Sequence, residues 1–215
     1  MKGTTHLAIG IAIGAAASAV YPFTVKNAAL YITVAVFSAL SADLDGQSML
    51  IGKLNKVSKM LRNAVLWSGV LLAIAATYLY YVQRLFYPEL SAISVMVLLL
   101  GFVATAGTFR NALVSAIGGG LLYSGWIWEM SWLMGFGLFV AWVPWLAHRG
   151  MTHTVWAAAL WGTIGWGLEQ QLGVEGITVV SVVGYLSHLL ADTLTPSGVK
   201  WLFPFSKKSI KLPGM

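Results

Sequence analysis

Long apolar blocks, separated by short polar interruptions, run through the whole chain and leave it few ways to fold. In lipid a backbone must satisfy its own hydrogen bonds, so such blocks are stable only as helices or as the strands of a closed barrel. A barrel needs alternating segments of about ten residues, and none is present. Of the 215 residues 58% are hydrophobic and 9% charged, against about 25% charged in a soluble domain. The chain therefore reads as an all-α, polytopic membrane helical bundle. Its length suits one integral membrane domain over 1–215 and leaves no room for a soluble domain beside it.

Eight apolar segments can be drawn, at 5–21, 28–45, 64–82, 90–107, 110–128, 131–147, 153–169 and 177–194. Several are near the lower length limit for a span, about 17 residues. Only Glu129 interrupts the fifth and sixth, so whether both cross is left open. The first segment follows Lys2 as a signal peptide would, but it carries a histidine and is read as a span. Placing the loop after segment two in the cytoplasm puts eleven basic residues inside and only Lys26 and Arg84 outside. That is a strong positive-inside bias, and it gives eight transmembrane helices with both termini cytoplasmic.

Two flanking stretches complete the drawing. Residues 46–63 read as a cytoplasmic basic amphipathic segment, with Met49, Leu50 and Leu54 toward lipid and Lys53, Lys56 and Lys59 among headgroups. Residues 196–215 read as a cytoplasmic interfacial tail, anchored by Trp201, Phe203 and Phe205 and broken by Pro204. Gly10 with Gly14, and Gly162 with Gly165, offer small faces for close helix contact, and Gly118–Gly120 marks a kink or a tight crossing.

The remaining polar residues are costly in such a chain and need partners. His188 and Asp192 are four apart in one apolar helical run, so they share a helix face. Asp43 and Asp45 are two apart and converge only where the second helix ends or unwinds, which Gly46 favours. Carboxylates at a helix C-terminus oppose its dipole, and a cation would relieve the conflict. His148 and His153 flank a turn at Arg149 and Gly150, with Thr152 a candidate cap for the next helix. In the drawing made from basic residues alone, these groups and His6 all fall at the cytoplasmic ends of their segments. The predicted metal ligands are thus His6, Asp43, Asp45, His148, His153, His188 and Asp192.

With no cysteine, any ion must be held by nitrogen and oxygen. One or two divalent ions are expected, zinc in preference to manganese because of the imidazole share. The expected catalytic residues are Asp45 or Asp192 as proton acceptor and Arg149 toward an anionic group.

The stretches TTHLAIG (4–10), SADLDG (41–46), HRGMTHT (148–154) and GYLSHLLADTLTPSGV (184–199), in this order, resemble the YdjM-like family of membrane-bound metal-dependent hydrolases. The resemblance implies a metal centre on His6, Asp43, Asp45, His148, His153, His188 and Asp192, and a place in the bacterial inner (cytoplasmic) membrane. Together these readings lean to an enzyme. The expectation is a metal-activated water cleaving a phosphoester or related ester of a membrane lipid at the cytoplasmic leaflet, with no nucleic-acid partner. The alternatives are an ion- or proton-coupled transporter, in which the polar cluster is a relay, and a non-catalytic membrane protein with a structural metal.

Overall fold

The computed structural model describes residues 2–46 and 52–211. Among them are eight α-helices: α1 (Gly3–Val20), α2 (Val25–Ser41), α3 (Leu54–Tyr81), α4 (Pro88–Val103), α5 (Ala106–Ile127), α6 (Ser131–Trp142), α7 (Val155–Leu172) and α8 (Ile177–Thr193). Each corresponds to one of the eight apolar segments. Three helical stretches, Gly3–Val20, Val25–Asp45 and Leu54–Tyr81, are long and apolar enough to cross a membrane on their own. α4 and α5 meet at a 101° break, as a broken span or a re-entrant pair would, while Ser131–Trp145 and Ile177–Thr193 are apolar but shorter.

The chain divides into two compact units, one of residues 1–51 with 115–215 and one of residues 52–114. In the smaller unit α3 and α4 pack antiparallel with backbones in contact: a side chain added at Gly69 would strike Leu98, and one at Gly101 would strike Leu66. The predicted amphipathic segment falls here in part. Met49 and Leu50 lie outside the described residues, and from Leu54 onward the segment is the first turns of α3, with Lys56 and Lys59 exposed.

The larger unit carries every candidate site residue. Its α1 and α2 form an antiparallel hairpin in which Gly10 and Gly14 lie directly on the backbones of Val36 and Ile32. α8 runs parallel to α2, since Tyr31 Oη donates to Glu175 O and His188 Nδ1 lies 2.7 Å from Ala39 O. Ala17, Tyr31, Ala35, Ile177 and Val180 make the core between these three helices. α7 packs antiparallel to α8, and Gly173 closes it in a left-handed conformation (φ +61°) that allows the tight return. α6 is antiparallel to α7, because Gly135 faces Ile164 and Gly167 faces Trp132. This order brings the start of α1, the ends of α2, α6 and α8, and the start of α7 to one end of the unit.

Two local features shape that end. α2 stops at Ser41 and tightens into a 3-10 turn over Ala42–Asp45, capped by Gly46. α6 stops at Trp142 because Pro144 has no N–H for a further helical turn, and a second 3-10 turn, Val143–Trp145, follows.

Candidate metal centre

The unwound end of α2 gives Asp43 and Asp45 a common direction that two residues of a regular helix would lack. Asp45 is buried, 6% exposed, and both of its oxygens are engaged. Oδ1 lies 2.7 Å from His148 Nδ1, and Oδ2 accepts from the hydroxyl of Thr152. Thr152 is therefore not the helix cap that its position suggests. That role belongs to Thr154, whose hydroxyl accepts from Ala157 N, while a 3-10 turn, Met151–His153, carries Thr152 and His153 inward.

The protonation of two histidines follows from their neighbours. His188 Nδ1 faces the Ala39 carbonyl, which can only accept, so Nδ1 carries the proton and Nε2 of the neutral ring carries the lone pair. Thr152 spends its hydroxyl proton on Asp45, so at 2.9 Å it can only accept from His153 Nδ1. His153 too is left with its lone pair on Nε2. Both Nε2 atoms are buried without a hydrogen-bond partner. His188 Nε2 lies 3.3 Å from Asp43 Oδ1 and 3.9 Å from Asp192 Oδ2; His153 Nε2 lies 3.6 Å and 3.8 Å from the same two atoms.

Two lone pairs and two carboxylates thus converge on one buried point, where only a cation or an extra proton relieves the repulsion. The shortest of these separations equals the edge of a zinc tetrahedron, about 3.3–3.5 Å for bonds of about 2.0–2.1 Å, and the other three are a few tenths of an ångström longer. Asp43, His153, His188 and Asp192 form one group able to hold an ion; Asp43, Asp45 and His148 form a second, so Asp43 belongs to both. His153, in the turn before α7, shows what happens when a proton fills the gap. Burial disfavours its charge, but hydrogen bonding and attraction from Asp43 and Asp45 outweigh that and raise it to about 9.

Among the seven predicted ligands, His6 stands apart. It is buried and stacks on His188 with ring centroids 3.8 Å apart, and its Nε2 lies 3.5 Å from Asp192 Oδ1, but it belongs to neither group. Arg149, expected to face an anion, instead places Nη2 3.2 Å from Asp192 Oδ2, with Nη1 3.4 Å from both Thr195 Oγ1 and the Gly198 carbonyl. Its left-handed backbone (φ +59°) makes the turn between His148 and Gly150. Trp161 is buried and donates to Ser38, whereas Trp156 is exposed against Phe205. Tyr185, fully buried, holds the Thr152 carbonyl through its hydroxyl. The sequence does carry a signal for it, since Tyr185 lies three residues before His188 on the same helix face.

The whole chain, residues 1–215, matches the family described as YdjM inner membrane protein. The chain belongs to that family. With it, this is an inner membrane protein whose apolar helices can span the bilayer. Two curated relatives, both called inner membrane protein YdjM, come from Escherichia coli (strain K12) and Shigella flexneri. Each is 44% identical over 64 residues, covering 26% of this chain and 30% of the relative. The match thus spans under a third of either relative's length. No solved structure matches the chain.

Proposed function

We propose that this YdjM-family protein is a metal-dependent hydrolase acting on a phosphoester or related ester of a membrane lipid at the cytoplasmic leaflet. The observation that carries the reading is the convergence of two partnerless imidazole nitrogens on two carboxylates in a buried pocket. Asp43, His153, His188 and Asp192 would hold the ion, zinc in preference to manganese. When bound, it would supply an activated water and polarise the ester.

The chain's own residues do the rest. Ala39 and Thr152 keep both Nε2 atoms turned inward, and Arg149 fixes the Oδ2 of Asp192, as outer partners of ligating groups do. Asp45 is the carboxylate we assign as proton acceptor: it lies outside the first group and is hydrogen-bonded to His148, whose side chain is half exposed and able to pass the proton to solvent. The Asp45–His148 contact satisfies both partners without an ion, so one ion, in the first group, is the simpler assignment. Transport is disfavoured, because among the described residues the histidines and aspartates crowd one end of the larger unit and trace no path through it.

Elemental analysis of purified protein after metal repletion should give one ion per chain, lost in His188→Ala. Hydrolysis across a panel of phospholipids should disappear in His188→Ala and Asp192→Ala, while circular dichroism remains that of the folded protein. Metal-free protein after repletion would overturn the reading.

A further inference from the structure

A groove between α6 and α7 reaches the metal centre. Its volume is about 200 Å³; its floor includes Phe139, Val143 and Ala157, and its rim includes Leu138, Trp142 and Leu160. The rim residues are about half exposed although large and apolar, as lipid-facing residues are, and the floor is buried. One polar side chain lines the groove, that of Thr152. Its hydroxyl already donates to Asp45 and accepts from His153. The groove and the centre thus share a wall one side chain thick.

Another cavity of the larger unit, of about 240 Å³ among Phe37, Trp132, Phe136 and Trp161, has none of the candidate site residues in its lining. The α6–α7 groove is open because Pro144 ends α6 early, so Leu146, just after one 3-10 turn, and Met151, at the start of the next, line it. At the mouth Trp156 packs edge-on against Phe205 of the tail, with ring centroids 5.9 Å apart. Lys207 and Lys208 follow in sequence, both exposed. The groove therefore has an aromatic mouth, with two exposed lysines following Phe205 along the tail, an apolar trough and an end wall formed by Thr152.

We infer that this groove seats one hydrocarbon chain of an anionic lipid, holding the ester bond at its head beside Thr152, the side chain that bonds Asp45. The inference rests on the hydrolase reading and names the part of the molecule that selects its substrate. From Trp156 to Leu160 the trough follows α7 for about 6 Å, at about 1.5 Å per residue. That length holds only the first few methylenes beyond the ester, and the rest of the chain stays in the bilayer. Recognition should accordingly depend on a chain being present and on a negative head, and little on total chain length.

The test uses full-length, metal-loaded protein in phosphatidylcholine vesicles containing a trace of phosphatidic acid with a diazirine near the ester end of one acyl chain. Mass spectrometry after illumination should find label on the floor and end of the groove, at Phe139, Val143, Met151 or Ala157. Leu160→Trp, at the lipid-facing rim, and Ala157→Leu, on the floor, should each lower that labelling about tenfold, the effect of excluding a few methylenes. Both should keep their bound metal, which also shows that they are folded. Label spread evenly over exposed helix faces, or groove label unchanged in both variants, would overturn the inference. The two readings fail separately: unlabelled groove with metal bound removes the chain site alone, and labelled groove with no metal removes the hydrolase alone.

Discussion

At the residue scale the centre is decided by where protons sit. Ala39 O and Thr152 Oγ1 each take up one Nδ1–H, and what remains on His188 and His153 is a pair of inward lone pairs. Thr152→Val keeps the shape but removes the acceptor for His153, freeing the ring to change tautomer. Metal affinity should fall about 10- to 100-fold, the usual cost of losing an outer partner, and competition with a chelator would read it. Arg149→Ala should lower affinity by a similar factor through Asp192. The raised His153 gives a second expectation with a definite sign. In metal-stripped protein, the attraction between charged His153 and its carboxylates is fully present below the ordinary histidine value, about 6.5, and is lost as pH rises through about 9. Thermal stability of stripped protein should therefore decline over that window. Metal-loaded protein should show the opposite tendency, because binding displaces the proton and is favoured as pH rises. Equal pH profiles for the two forms would show that His153 does not hold the ion. From sequence the His188–Asp192 pair was legible because its spacing is local. Thr152 was not, since its partner Asp45 is 107 residues away.

At the scale of elements, the apolar blocks and their length located all eight helices, because in lipid there is no other way to satisfy the backbone. Their ends were less legible. α2 sheds its last turn into a 3-10 segment, and α3 begins about ten residues earlier than its apolar run because the basic turns before it are also helical. Close contacts were legible only as a tendency of glycine. Within Gly118–Gly120, Gly118 alone is pressed against a neighbour: an added Cβ would strike the backbone of Ala141, whereas Gly119 and Gly120 have open space. The triplet is a crossing point and no kink, since α5 runs unbroken through it. Gly118→Ala should destabilise by about 1–3 kcal/mol through overpacking. Gly119→Ala should instead stabilise by up to about 1 kcal/mol through helix propensity. Unfolding of the detergent-solubilised protein would separate them, and similar effects from both would mean that α5 does not approach α6 as described.

At the scale of the molecule, the site is a matter of sidedness. Charge alone, without any of the acidic or histidine residues, assigns the start of α1, the end of α2, the loop before α7 and the end of α8 to the cytoplasm. Packing of the larger unit independently brings those same points together around Asp43, His153, His188 and Asp192. The agreement is not forced, because a metal site could be assembled on either face of the membrane. What sequence could not signal is the division after residue 114, which falls in an apolar run inside α5; the one at residue 52 lies in the basic stretch before α3. Since the chain has no cysteine, single substitutions give an unobstructed test of which face is which. Glu175, exposed between α7 and α8, and Lys208, exposed in the tail, lie beyond opposite ends of α8. In intact spheroplasts a membrane-impermeant maleimide should label Glu175→Cys and should reach Lys208→Cys only after permeabilisation. The reverse pattern would turn the carboxylates and imidazoles to the outer leaflet, and a lipid of the cytoplasmic leaflet would then have no route to them.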